Sequence, residues 1–156
     1  MMFFRRKPDF TDGVIDLVPV NMGWPEESLG FGDVYDFSIR PHGKRREAGQ
    51  ISVRMGEGEG IYYYGHIGYH IDPAWRGNHW AERACRLIRP LLEGAGKSSV
   101  VITTDPDNLA SQKTITRLGA LPERTVEVPA AFRAKYEISP VKLRYIWRLD
   151  AGLEID

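Results

Sequence analysis

Residues 65–85 read GHIGYHIDPAWRGNHWAERAC, a run that passes from an alternating apolar strand through a short polar loop into a helix. Strand-to-helix junctions of this kind hold anions. The first backbone N–H groups of a helix have no partner inside it, and the dipole leaves partial positive charge there, so a phosphate fits without a dedicated lysine. Arg76 adds a cation and Gly77 a flexible backbone just before the turn, and Asn78 is placed to cap the helix by accepting from an N–H two or three residues on. The loop is therefore a candidate pyrophosphate cradle, although a capped helix after a strand also occurs for purely structural reasons.

A second motif follows at 99–119, SVVITTDPDNLASQKTITRLG. It reads as a buried strand over Val100–Thr103, a proline-containing loop, and a helix from about Asn108 that ends at Gly119 as a C-cap. Ser111, three residues after Asn108, shares its side of the helix.

Taken together and in this order, the two motifs resemble the GNAT superfamily of acetyl-CoA-dependent N-acetyltransferases. The cofactor loop of that family reads Gln or Arg, any, any, Gly, any, Gly or Ala; Arg76 and Ala81 match its ends, and His79 stands where the family has glycine. The resemblance implies an α/β (α+β) domain with a mixed, mostly antiparallel sheet splayed between its fourth and fifth strands, with flanking helices and a slot for acetyl-CoA. It implies a cofactor-binding set of His70, Ile71, Arg76, Gly77, Asn78, His79, Trp80, Ala81 and Asn108. Asn108 is the position that bonds the pantetheine arm in the family; it is equally a plain N-cap. The tyrosine acid that many members carry seven residues after that Asn is replaced by Ile115. Ser111, which is similar to a serine of the ribosomal-protein N-terminal acetyltransferases, is the substitute to test.

Composition sets the limits. A chain of 156 residues is a single domain, 1–156, by size, and large enough for a real core. Its 21 basic and 21 acidic residues balance, which gives no reason to expect nucleic acid or anionic membrane as partners. The lone Cys85 excludes an internal disulfide and suits a reducing cytoplasm; a small buried apolar residue is the simpler reading than a nucleophile. MMFFRRKPDF, residues 1–10, has its apolar residues before its basic ones, the wrong order for a secretory signal.

Along the chain the expected elements are strand Val14–Val18, one helical turn near Pro25–Leu29, strands Val34–Arg40 and Gln50–Met55 with a turn at Pro41–Lys44, and a long strand Ile61–Ile71. Helix Asn78 to about Glu93 follows, with Pro90 predicting a kink or early end, and strands lie near Pro122–Val128 and Leu143–Leu149. Only about fifteen residues join the first two strands, where most family members have two helices shaping the acceptor pocket.

Attack of an amine on a thioester needs an uncharged nitrogen, removal of its proton, a donor for the carbonyl oxygen and proximity. His66 is the candidate base, since imidazole titrates near working pH, with a buried hydrogen-bonded histidine as its structural alternative. His70 would lie roughly 13 Å further along an extended strand at about 3.3 Å per residue, so a shared metal site is not expected. A backbone N–H near Ile71 is the expected oxyanion donor. Glu57 and Glu59 are alternative bases or solvated charges, and Tyr62, Tyr63, Tyr64, Trp75 and Trp80 either line an acceptor pocket or pack. The resulting expectation is acetyl transfer from acetyl-CoA to the primary amine of a small molecule, with a peptide N-terminus as the alternative acceptor. A CoA-binding scaffold without turnover is the rival, and a homodimer is compatible with either.

Overall fold

Strand β3, Gly49–Arg54, alternates buried and open positions, with Gly49, Ile51 and Val53 inside. That period of two lays one face of a sheet on a core. The computed structural model of the protein describes residues 10–150. Strands β1 (Ile15–Glu26), β2 (Gly32–Pro41), β3 and β4 (Ile67–Ile71) form one antiparallel sheet in chain order. Strands β5 (Ser99–Thr104), β6 (Leu121–Glu127) and β7 (Val141–Arg148) form a second, in the order β5-β7-β6, also antiparallel.

Helices α1 (Glu59–Tyr64), α2 (Trp80–Gly94), α3 (Leu109–Arg117) and α4 (Ala130–Lys135) fill the connections. α2 presents Ala81, Ala84, Cys85, Ile88 and Leu92, a stripe at helical spacing, to Phe37, Ile39, Ile51, Val53 and Ile67. Tyr145 and Trp147 of β7 join the same core from the second sheet. Cys85 is fully buried, and burial pushes its thiol up to about 12, which leaves it inert at neutral pH.

Several expectations are corrected. β1 runs on to Glu26 with no helical turn near Pro25, because Glu26 closes a tight hairpin by accepting from the N–H groups of Leu29 and Phe31. The expected long strand Ile61–Ile71 is divided: α1 occupies Glu59–Tyr64 and β4 begins at Ile67. The glycines around α1 make this packing fit, since a Cβ at Gly58 or Gly60 would run into Gly30 and Leu29 of the hairpin. α2 continues past Pro90 to Gly94, with the ring exposed, and closes with Lys97 N–H on Leu92 O and Gly96 N–H on Glu93 O. The segment between β6 and β7, for which the sequence suggests no element, contains α4. Residues 1–9 of the opening sequence lie outside the described residues.

β4 and β5, the facing strands of the two sheets, form no ladder. They touch at one end through an isolated bridge between Gly65 and Ile102 and a bond from His66 N–H to Val101 O of 2.8 Å. Gly65 has φ +80, and a Cβ there would sit 2.8 Å from Val101 O, so glycine is what lets the sheets meet. Beyond that joint the strands part.

Candidate active site

The gap between the sheets holds two adjoining cavities. The larger, about 460 Å³, lies between β4, the loop before α2 and the face of α3. The smaller, about 210 Å³, lies between β4 and β5 on the other side. Tyr69, Asn108 and Ser111 are the residues that line both.

The larger cavity carries three cations, Arg76, Lys113 and Arg117, and no carboxylate among its lining residues. Its floor is the start of α2. Among the described residues, the N–H groups of Gly77, His79, Trp80 and Ala81, all lining this cavity, meet no acceptor within the protein, whereas Asn78, expected in the cofactor set, is not part of the lining. Unsatisfied donors at a helix start, ringed by cations, fit the pyrophosphate of a CoA molecule. The expected cap is corrected here: Asn78 turns back to donate to Trp75 O at 3.0 Å, and His79 occupies the N-cap position without a side-chain cap. His79 has φ 61, the left-handed region, which explains why glycine suits this place in the resembled loop. Its imidazole is drawn towards α3, where Nδ1 accepts from Arg117 at 2.8 Å, leaving the N–H cradle uncovered. Trp75 and Trp80 stack with centroids 5.1 Å apart and line this larger cavity, whereas Tyr62 and Tyr63 pack elsewhere and Tyr64 faces the smaller one. The aromatic cluster expected from the sequence is thus split between separate places.

The open edge of β4 follows from its pairing. Arg54 N–H donates to His66 O and Asp72 N–H to Ala48 O, both at 2.8 Å, so the even-numbered residues of β4 face β3. Ile67, Tyr69 and Ile71 therefore turn their main-chain groups to the gap. Arg76 Nε donates to Ile71 O at 2.7 Å, which leaves the Ile71 N–H and both main-chain groups of Tyr69 facing it. His70, expected to bind through its backbone, is committed to Gln50 of β3; its exposed ring lies 3.3 Å from Asp72.

Asn108 fills the capping role read for it and lines both cavities. Its Oδ1 caps α3 by accepting from Ser111 N–H at 3.1 Å, and its amide nitrogen remains for the gap. Asn108→Asp should keep the cap and lose the donors; it is expected to weaken CoA binding while leaving the melting temperature of the free protein near wild type. Asn108→Ala should weaken binding and also cost about 1 kcal/mol of stability. Calorimetric titration and thermal melts of both variants check this.

Tyr69 reaches from β4 across to α3, its hydroxyl 2.8 Å from Ser111 Oγ. Burial pushes its phenol well above the usual range, with a smaller opposing effect from the Ser111 and Thr114 hydroxyls, so it stays protonated at neutral pH. This residue was missed in the sequence reading; its place in the strand one residue before His70 was legible, its reach to Ser111 was not. Ile115 is fully buried in the core.

His66 sits at the joint of the sheets, 4% exposed, and lines neither cavity. Its Nδ1 accepts from Val101 N–H at 2.9 Å, which places the proton of the neutral ring on Nε2, 3.1 Å from both oxygens of Glu57. Burial lowers its pKa, with Glu57 opposing. Glu57 also takes Lys97 at 2.6 Å. Glu59 lies in the first turn of α1. In the smaller cavity the one carboxylate is Asp105; burial alone would raise its pKa, but Lys142 at 2.8 Å and the Ser139 hydroxyl at 2.5 Å together outweigh that and hold it below the usual carboxylate range.

Among the described residues there is no metal-ligating cluster, and no helix is long and apolar enough to cross a membrane. No curated protein matches the chain. Solved structures that share the fold include the microcin C7 self-immunity acetyltransferase MccE in complex with acetyl-CoA and AMP, at 21% identity over 74% of this chain and 61% of that one, with a TM-score of 0.56. A putative acetyltransferase, YncA from Salmonella typhimurium, with acetyl-CoA, matches at 17% over 79% and 69%, TM-score 0.57. The ribosomal-protein-S5-alanine acetyltransferase of Vibrio fischeri matches at 18% over 76% and 63%, TM-score 0.59. The chain spans about three fifths of the length of the first of these structures. The family model of the GNAT acetyltransferase domain matches residues 15–121, more than half of the chain, and the protein belongs to that family.

Proposed function

We propose that this protein is an N-acetyltransferase that moves an acetyl group from acetyl-CoA to the primary amine of a small molecule by direct attack in a ternary complex. The observation that carries this reading is the meeting of a cationic, carboxylate-free cavity and a small polar one at Tyr69, Asn108 and Ser111. Acetyl-CoA, when bound, supplies the thioester carbonyl that the amine attacks.

The protein's own residues do the rest. The N–H groups of Gly77, His79, Trp80 and Ala81, with Arg76, take the pyrophosphate; Asn108 and the open edge at Tyr69 align the arm. The Ile71 N–H stands as donor to the carbonyl oxygen as charge develops there. Tyr69, hydrogen-bonded to Ser111, holds the proton that the departing thiolate needs, in the place that Ile115 leaves vacant. We assign His66 to the joint of the sheets, because both its ring nitrogens are occupied there.

No imidazole lines the smaller cavity, and Asp105 is too weak a base to hold an ammonium proton. The amine then enters neutral and releases its proton to water. Accordingly, kcat/KM should climb with pH at a single slope towards the pKa of the free amine, without the additional break near neutral pH that a titrating imidazole base would add; a pH–rate profile checks this. Thiol release across a panel of amines and peptides, with acetyl-CoA binding followed by melting shift, tests the activity itself. Binding without acceptor-stimulated release would make the chain a CoA-binding scaffold. We place the activity in the cytoplasm, in keeping with the buried free thiol. The edge strand β1, with Val20, Met22 and Trp24 exposed, is the surface through which a homodimer would form.

A further inference from the structure

The acceptor cavity carries a cation that the transfer chemistry does not use. Of the three charged residues lining it, Lys142 and Asp105 neutralise each other at 2.8 Å. Arg54 remains. Its Nη1 donates to Tyr64 O at 3.0 Å and Gly65 O at 3.1 Å, closing the end of α1. Its guanidinium lies over the Phe31 ring at 4.5 Å and near that of Tyr64 at 5.9 Å. The group is thus held in place before any ligand arrives. Among the described residues no carboxylate lies within 4 Å of it; Asp36, the acid whose charge acts on it, is engaged by Asn21 and Ser52. Gly68 lets the guanidinium lie against β4, for a Cβ there would stand 2.6 Å from Nη2; that second nitrogen makes no hydrogen bond among the described residues, and Arg54 lines the cavity.

A fixed guanidinium edge, partly desolvated and without an acid partner, is a receptor for a planar anion. We propose that the acceptor is a free amino acid, its carboxylate seated on Arg54 Nη2 and its amine turned towards the junction at Tyr69. The cavity of about 210 Å³ suits this size, being smaller than the usual pocket for drug-sized ligands. Arg54 stands on the wall of the first sheet, so the carboxylate is held there while the neutral amine is left free to point at the junction. This inference rests on the acetyl-transfer reading for which nitrogen reacts, but the seat for the carboxylate is tested by binding alone.

The experiment measures binding of N-acetylglycine, N-acetylmethionine and N-acetylphenylalanine, each beside its carboxamide, to the protein saturated with CoA. The free acids are expected to bind at least about tenfold tighter than the amides. Arg54→Gln should bring that ratio to near one, while acetyl-CoA still stabilises the variant as it does wild type. Gly68→Ala, which crowds Nη2 without removing the charge, should lower the ratio too, and keeps the test open should Arg54→Gln not fold. A ratio near one in the wild type, or one that survives both variants, overturns the proposal. So does a preference for amidated peptides with an acidic first residue over the free acids. Acid-selective binding in a protein that releases no thiol with any amine would instead leave this site standing and remove the activity.

Discussion

Replacing His66 by alanine is expected to remove about 2–4 kcal/mol of stability, most of it by leaving the buried Val101 N–H without its acceptor and opening a void at the joint of the sheets. For a chain of this length that is a fall in melting temperature on the order of 5–15 °C. A thermal melt of the variant beside wild type reads it directly. The same group carries a pH signature. Its folded pKa is depressed from 6.5 by burial, so the unfolded chain takes up a proton first as pH falls. The stability His66 contributes is whole above pH 6.5 and is lost as pH drops through and below that value, by at most about 1.4 kcal/mol per pH unit for one group. Glu57, whose pKa is also lowered through Lys97 and His66 against its own burial, acts in the same direction further down. His66→Gln should therefore flatten the melting curve between pH 6.5 and 5. An alanine variant that melts like wild type and turns over slowly would return His66 to the role of base.

Tyr69→Phe is the second large effect. The variant is expected to lose roughly 10²-fold in kcat, the lower end of what a positioned proton donor contributes, with acetyl-CoA affinity within about threefold of wild type. Nothing else in the core should change, because the hydroxyl meets Ser111 and Thr114 at the cavity junction. Ser111→Ala should cost less, since it only orients the phenol. Steady-state kinetics with a calorimetric Kd for the cofactor separates these outcomes. Equal kcat for Tyr69→Phe and wild type would mean that water protonates the thiolate.

The two motifs that revealed the family were legible because their signals are local. Alternation in β3, the apolar run of β5, the helical stripe from Ala81 to Leu92, and Asn108 three residues before Ser111 each report on a few neighbours in the chain. The misreading at 59–71 has an equally local cause. Ile61 to Tyr64 is aromatic and has high strand propensity, yet it forms α1 because Gly58 and Gly60 let the turn pack on the hairpin at Gly30 and against Leu29. Propensity lost to a contact between segments nearly thirty residues apart.

The sequence by itself determined that this chain builds a strand, a polar loop and a helix, then a second strand and an Asn-capped helix, because caps, glycines and periodicity act within a turn or two of backbone. Only the tertiary structure decided what those pieces do together. It put His66 in the joint, Tyr69 against Ser111 across forty-two residues of sequence, and Arg54 beside Gly68 at the smaller cavity. Each of those placements depends on where β4 ends its pairing with β3 and parts from β5. That divergence is a balance of long-range packing and hydrogen bonding, which no local pattern encodes.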